Sequence, residues 1–306
     1  MSSTPTPFKV AAVQASPVFL NKEASVEKAC QLIVEVGKNG ASLAVFPEAF
    51  ISGYPDWVWV LPAGNKAAIS DLYADFLASA VTIPDESTAQ LCKAAKSAGI
   101  YVAIGINERN SADSNSSVYN TILYLSPSGE IMGRHRKLIP TGGERLMWAP
   151  GDGSTLVSFD TSLGKLGGLI CWENFMPLPR MAMYQAGVQL YVAPTWDQSE
   201  AWQVAMRHIA REGGMYVISV APGMHKDDIP DKYDYKNLYP EDKVWVNQGN
   251  SLIVDPTGAI IAGPANSVAE ILYAEVDLST IPTQKWMFDV AGHYSRPDVF
   301  DFGVKG

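Results

Sequence analysis

Three reactive side chains stand at or near the ends of short apolar runs. Glu48 follows Ala44-Val45-Phe46-Pro47, Lys137 sits in Arg134-His135-Arg136-Lys137-Leu138, and Cys171 follows Leu166-Gly167-Gly168-Leu169-Ile170. A cysteine nucleophile needs a proton acceptor, and the charge that develops as it adds to an acyl or nitrile carbon needs a cation or N–H donors. A carboxylate, a lysine and a thiol supply those parts. A thiol at a strand end, just before a helix that starts near Pro177, also sits where a helix dipole favours a thiolate. Each residue has an ordinary reading as well. Cys171 reads as a small core residue, Glu48 as a satisfied edge carboxylate, Lys137 as a solvated basic strand edge, and Glu144 as an exposed ion pair with Arg145. If the three strands are neighbours, Glu48, Lys137 and Cys171 converge at one sheet edge. A cysteine–histidine pair is the weaker arrangement. His208 falls on a predicted helix, where it reads as a packed residue, and His135 follows an arginine on a strand.

The elements that must position these residues come from periodicity and turn chemistry. Phe8 to Gln14 reads as a buried strand. Val26, Ala29, Leu32, Ile33 and Val36 recur at helical spacing before Gly40. Leu43 to Phe46 is a second strand, and the aromatic stretch 51–64 is an ordered loop that contributes to a wall. Helices follow over about 70–79 and, from an N-cap at Ser87 to Gly99, over about 87–98. Tyr101 to Ile106 is a strand. Turns at 126–129, 163–165 and 255–258 mark three hairpins. Strands are expected at Gln189 to Ala193, Met215 to Ala221 and Glu270 to Val276, with a helix over 200–212 that turns Trp202, Ala205, Met206 and Ile209 inward. Alternating strands and helices with recurrent hairpins predict an α/β fold of mixed sheets with helices outside. Residues 223–249, rich in charges and tyrosines, read as a long surface excursion that serves as a subunit contact or a pocket lid.

Composition narrows the class. The chain has 306 residues, 47% hydrophobic and 18% charged, which suits a globular protein with a sizeable core. A net charge of −9 without a basic run argues against a nucleic-acid or anionic-membrane surface. No apolar stretch approaches the roughly 20 residues that span a bilayer, and the polar start has no signal-peptide core. Three scattered cysteines form neither a disulfide framework nor a zinc pattern, and four scattered histidines give no metal site. A reducing cytoplasm is the expected compartment. With no convincing linker, residues 1–306 read as one domain, with 1–7 a flexible tail and 277–306 a C-terminal extension.

Taken together, the motifs resemble those of the nitrilase superfamily. Phe46-Pro47-Glu48, Arg136-Lys137-Leu138 and Cys171-Trp172-Glu173-Asn174 match its glutamate, lysine and cysteine segments. Cys-Trp-Glu is similar to the nitrilase branch, whereas amidase and carbamoylase branches usually carry other residues after the cysteine. Gly105-Ile106-Asn107-Glu108-Arg109, Tyr119-Asn120-Thr121, Glu144-Arg145 with Trp148, Gly151-Asp152-Gly153, Ala193-Pro194-Thr195 and Gly292 to Asp298 extend the likeness over about residues 8–300. The resemblance implies a four-layer α-β-β-α sandwich. It implies Glu48 as the general base, Lys137 as the stabilising cation and Glu144 as a second glutamate that positions substrate and water. It implies hydrolysis of a small organic nitrile to the acid and ammonia through a Cys171 thioimidate and thioester, with no metal or organic cofactor. A homo-oligomer follows too, a dimer or more, although the short C-terminus leaves helical filaments open. Trp172, Tyr54 and Trp196 are expected pocket walls, while ordinary packing is favoured for Trp57 and Trp59. Eight tryptophans point to an apolar cleft and an aromatic, arylaliphatic or aliphatic nitrile. Cys30 and Cys92 read as structural. Two rivals stand beside this reading: an amidase or N-carbamoyl amide hydrolase with the same triad, and an inactive scaffold that binds a partner through 223–249.

Overall fold

The structure, a computed structural model, describes residues 6–112, 114–265 and 269–305. Residues 1–5 of the expected tail lie outside the described residues. The strands are β1 (Phe8–Gln14), β2 (Ala41–Val45), β3 (Tyr101–Arg109), β4 (Val118–Leu125), β5 (Ile131–Arg136), β6 (Ser158–Thr161), β7 (Gly164–Gly168), β8 (Leu190–Pro194), β9 (Tyr216–Val220), β10 (Gly223–His225), β11 (Trp245–Gln248), β12 (Leu252–Val254), β13 (Ile260–Ala262) and β14 (Glu270–Val276). The helices are α1 (Lys22–Lys38), α2 (Lys66–Ala78), α3 (Glu86–Ala98), α4 (Pro177–Gln185), α5 (Glu200–Gly213) and α6 (Ile281–Met287).

Two six-stranded mixed sheets form the centre. One runs β14-β1-β2-β3-β4-β5 and the other β13-β12-β9-β8-β7-β6. Alternation along single strands explains the layering. On β1, Val10 and Ala12 face the opposite sheet, while Ala11 and Val13 face the helices. On β8, Leu190 and Val192 face inward and Tyr191 and Ala193 face out. Strands buried on both faces read as continuous apolar runs, which is how these appear in the sequence. Helices α1 and α3 cover the first sheet through Ile33, Val36, Leu91 and Ala95. Helices α4 and α5 cover the second through Met183, Trp202, Met206 and Ile209. The result is the expected α-β-β-α sandwich.

Several boundaries differ from expectation, each for a local reason. Helix α3 is capped by Asp85 rather than Ser87. The Asp85 carboxylate accepts the Thr88 N–H at 2.9 Å and Thr88 Oγ1 accepts the Asp85 N–H at 2.8 Å, a reciprocal capping box. Helix α2 starts earlier, at Lys66, because Asn65 accepts the Ala68 N–H. Strand β7 ends at Gly168, short of Cys171. His208 is an exposed residue of α5 ion-paired to Glu212 at 2.6 Å rather than a packed one. The 223–249 excursion is anchored on the body of the fold. Its ends pair as β10 and β11, and Met224, Ile229, Tyr233, Tyr235 and Tyr239 are buried against the 54–61 loop and α2. Tyr235 and Tyr239 both donate to the buried carboxylate of Asp56, at 2.8 and 2.7 Å.

Candidate active site

Glu48 reaches the site because the chain crosses a neighbouring strand. After β2, Phe46 N–H donates to Ala103 and Ile51 N–H donates to Gly105, so residues 47–49 lie over β3. A Cβ at Gly105 would stand 2.2 Å from the Pro47 carbonyl and 2.5 Å from the Ala49 nitrogen. Only glycine permits that approach. The crossing brings Glu48 to β4, where Asn120 Nδ2 donates to Glu48 Oε1 at 2.7 Å. Lys137 lies one residue past β5, its own N–H donating to the Asn120 carbonyl. Its ammonium donates to Glu48 Oε1 at 2.9 Å and to Glu144 Oε2 at 2.7 Å. Glu144 is held in turn by the Thr141 N–H and by the Tyr54 hydroxyl, both at 2.7 Å. Glu48, Lys137 and Glu144 are each only 1% exposed.

The expectation of three neighbouring strands at one sheet edge is corrected here. β2 and β5 are separated by β3 and β4, and β7 belongs to the other sheet. The site therefore forms between the two sheets, with Cys171 contributed across the interface. Cys171 opens a 3₁₀ turn (Cys171–Phe175) with φ +49°, a left-handed value that is uncommon for a residue with a side chain. Asn174 holds this turn by donating to the carbonyls of Cys171 and Leu169, while Tyr191 donates to Asn174. Thr195 Oγ1 donates to Cys171 Sγ at 3.3 Å.

The electrostatics also differ from expectation. Burial, then the charges of Glu48 and Glu144, push the Cys171 thiol well above the ordinary value, and Lys137 and Thr195 offset only part of this. Complete burial therefore favours the neutral thiol of Cys171 over the thiolate, against the pull of the nearby helix start. Burial also raises Glu48 above the ordinary carboxylate value, with Lys137 opposing and Glu144 adding to the shift. Burial works against the charged Lys137, yet Glu48 and Glu144 together hold it above its ordinary value. Glu48 Oε1 takes both donors, and Oε2 accepts no hydrogen bond among the described residues. That free oxygen is a ready acceptor for a thiol proton.

The remaining expected residues surround a cavity of about 430 Å³ lined by Tyr54, Trp59, Thr141, Glu144, Cys171, Trp172, Trp196 and residues 197–199. Tyr54 stacks on Trp196 with centroids 4.3 Å apart and planes 6° from parallel. Trp172 is half exposed and donates to Asp197 at 2.8 Å. Trp59 departs from expectation: it lines the cavity and donates to the Tyr54 hydroxyl at 3.0 Å, whereas Trp57 is core. A slightly larger hollow of about 490 Å³, between α2 and the 232–238 segment, shares none of the triad residues.

Sequence reasoning missed the carboxylate that joins the two halves of the site. Glu173 accepts the Leu138 N–H at 2.6 Å, beside Lys137, and the Ile170 N–H at 2.8 Å, beside Cys171. Its Oε2 also meets His135 Nε2 at 3.0 Å. The other His135 nitrogen faces the Thr155 carbonyl, so both ring nitrogens have acceptors and the ring is an imidazolium. Although burial disfavours that charge, Glu173 raises the His135 pKa overall. The available signal was the basic run itself. Arg134 and Arg136 pair with buried Glu108, His135 with Glu173, and Lys137 with Glu48 and Glu144. The run is a row of paired cations, not a solvated edge.

A carbon-nitrogen hydrolase family profile matches residues 9–285. The chain is 44% identical to an aliphatic nitrilase of Sinorhizobium fredii, over 98% of this chain and 96% of that one. It is 41% identical to Nitrilase 1 of Arabidopsis thaliana, over 98% and 87%. Among solved structures, Saccharomyces cerevisiae Nit3, a member of branch 10 of the nitrilase superfamily, superposes with a TM-score of 0.73 at 23% identity, over 95% and 97% of the two chains. The profile spans most of the chain, and the sequence relatives span nearly all of it: the chain belongs to the carbon-nitrogen hydrolase family.

Proposed function

We propose that this chain is a nitrilase, converting a small organic nitrile and two waters to a carboxylic acid and ammonia, with Cys171, Glu48, Lys137 and Glu144 as its catalytic residues. The observation that carries this reading is the buried Glu48–Lys137–Glu144 cluster, electrostatically coupled to the Cys171 thiol at an aromatic-lined cavity. The relatives named as nitrilases support the same reading.

Each step has a residue suited to it. Glu48 Oε2 takes the thiol proton as Cys171 Sγ bonds to the nitrile carbon, and that proton passes to the nitrile nitrogen to give a thioimidate. Lys137 offsets the negative charge that builds on nitrogen. Glu48 then takes a proton from a first water as the water oxygen bonds to the carbon, and hands it to the nitrogen. The adduct's hydroxyl gives the last proton to the departing amine. The tetrahedral adduct expels ammonia and leaves a thioester. A second water, activated in the same way, releases the acid and restores the thiol. If the adduct expels the thiol instead, an amide leaves. Glu144, fixed by Lys137, Tyr54 and Thr141, faces the cavity as a positioning carboxylate.

The cavity's aromatic lining supports an aryl, arylalkyl or medium aliphatic group on the nitrile. Three free cysteines are consistent with a reducing cytoplasm. Among the described residues no helix is long and apolar enough to cross a membrane. Core residues shared by both sheets support one catalytic domain over 1–306, with 277–306 as its extension. Exposed Phe175, Leu178 and Val204 beside the site support a homo-oligomer joined through α4 and α5. A nitrile panel assayed for ammonia and acid tests the function. Turnover of nitriles over the matching amides is expected; turnover of the amides alone replaces the reading with an amidase.

A further inference from the structure

We infer that Asp197 makes the pocket a charge filter, admitting nitriles with an uncharged remote end and rejecting those that carry a carboxylate there. This rests on the nitrilase reading of the site. The Asp197 carboxylate lines the cavity in a fixed pose. Its Oδ2 accepts the Trp172 indole N–H at 2.8 Å and its Oδ1 accepts the Ser199 N–H at 2.8 Å. It cannot swing aside for an incoming anion without abandoning both donors.

The rest of the lining offers no counter-ion. Four aromatic side chains supply apolar surface and no positive charge. Thr141, Gln198 and Ser199 are neutral, and Glu144 is a second acid. Among the described residues no lysine, arginine or histidine lines the cavity. Lys137 is already shared by Glu48 and Glu144, and His135 is already paired with Glu173. An anionic tail entering here exchanges water for aromatic surface and a fixed carboxylate, with nothing to compensate its charge. A neutral tail of the same shape loses little.

The filter is read with para-cyanobenzoate and para-cyanobenzamide, which match in shape and differ in charge, and with benzonitrile as the reference. In the intact enzyme, kcat/KM for nitrile loss is expected to favour the amide-bearing nitrile over the acid by tenfold or more. Asp197→Asn is expected to shrink that ratio at least severalfold. Because Asn serves only one of the two donors, absolute rates will shift as well, and the ratio isolates the charge. Salt supplies a second reading on the unmutated enzyme. Raising ionic strength from about 0.01 M to about 0.5 M shortens the Debye length several-fold and is expected to narrow the ratio. A wild-type ratio near one, or a large ratio unchanged in both Asp197→Asn and high salt, overturns the filter. An enzyme that turns over only aliphatic nitriles is read with 5-cyanovalerate against 5-cyanovaleramide, by the same ratio and the same overturning result. Failure to turn over any aryl or aliphatic nitrile overturns the nitrilase reading itself, and the filter with it.

Discussion

Glu173 Oε2 and His135 Nε2 lie 3.0 Å apart, and both side chains are wholly buried. The pair sits between the sheets, and the same carboxylate ties down the backbone beside Lys137 and beside Cys171. The first sheet supplies Lys137 and the second supplies Cys171. The Glu173 carboxylate therefore couples the backbone beside Lys137 to the backbone beside Cys171.

Breaking either member of this pair leaves an uncompensated buried charge, which costs about 3–5 kcal/mol. Glu173→Gln and His135→Gln are each expected to lower stability by that order in denaturant titration. The double variant is expected to cost well under the sum, since neither charge is then stranded. Additive costs would show that the two groups act independently.

Lys137 answers two carboxylates, and the proposed mechanism also gives it a catalytic charge, so its removal tests both roles. Lys137→Met is expected to lose at least three orders of magnitude in turnover and to unfold more easily. Adding Glu144→Gln should recover part of the stability and none of the activity. A variant that regains turnover would show that Lys137 acts only as a structural counter-charge.

Glu48 must be ionised to take the thiol proton, and its folded-state pKa is raised above the ordinary 4.5. Activity should therefore fall as pH drops through a limb lying above 4.5. The check is kcat/KM against pH, on a substrate that does not titrate in this range. A limb at or below the ordinary value would assign it to another group.

Asp56 illustrates the opposite linkage to an acid stabilised by a salt bridge. Burial raises its pKa from 3.8 to about 6, against the opposing hydrogen bonds of Tyr239 and Tyr235. The fold thus binds its proton more tightly than the unfolded chain does. Its contribution is fully present below pH 3.8 and is lost as pH rises through about 6. By the usual conversion the loss is about 3 kcal/mol. Asp56→Asn should gain stability relative to the unmutated protein as pH rises across this window, measured as the difference in unfolding free energy. A pH-independent difference would remove Asp56 from the account.

Gly105→Ala places a methyl group against the Pro47 carbonyl and the Ala49 nitrogen. The backbone that carries Glu48 must move, so stability should drop by about 1–3 kcal/mol and activity by far more. Retention of full activity would show that the crossing tolerates displacement without disturbing Glu48.

Residue type and order alone determined a good deal. The apolar runs, hairpin turns and helical periods were enough for the layered mixed-sheet fold, because strands buried on both faces and amphipathic helices leave strong local signals. Glu48, Lys137, Glu144 and Cys171 stood out through their motifs. What local pattern could not carry was the partner of each charge. The basic run reads as solvated and 223–249 as a surface excursion, because their partners are distant in the chain, whereas the Asp85 cap of α3 turns on Thr88, three residues on. Only the tertiary structure decided that the site is built across two sheets, that residues 47–49 cross β3 at a glycine, and that Glu173 joins the halves. It also reversed the expectation for the thiol. A strand end before a helix favours a thiolate in isolation, but complete burial beside two carboxylates disfavours it more strongly, and burial is a property of the packed fold.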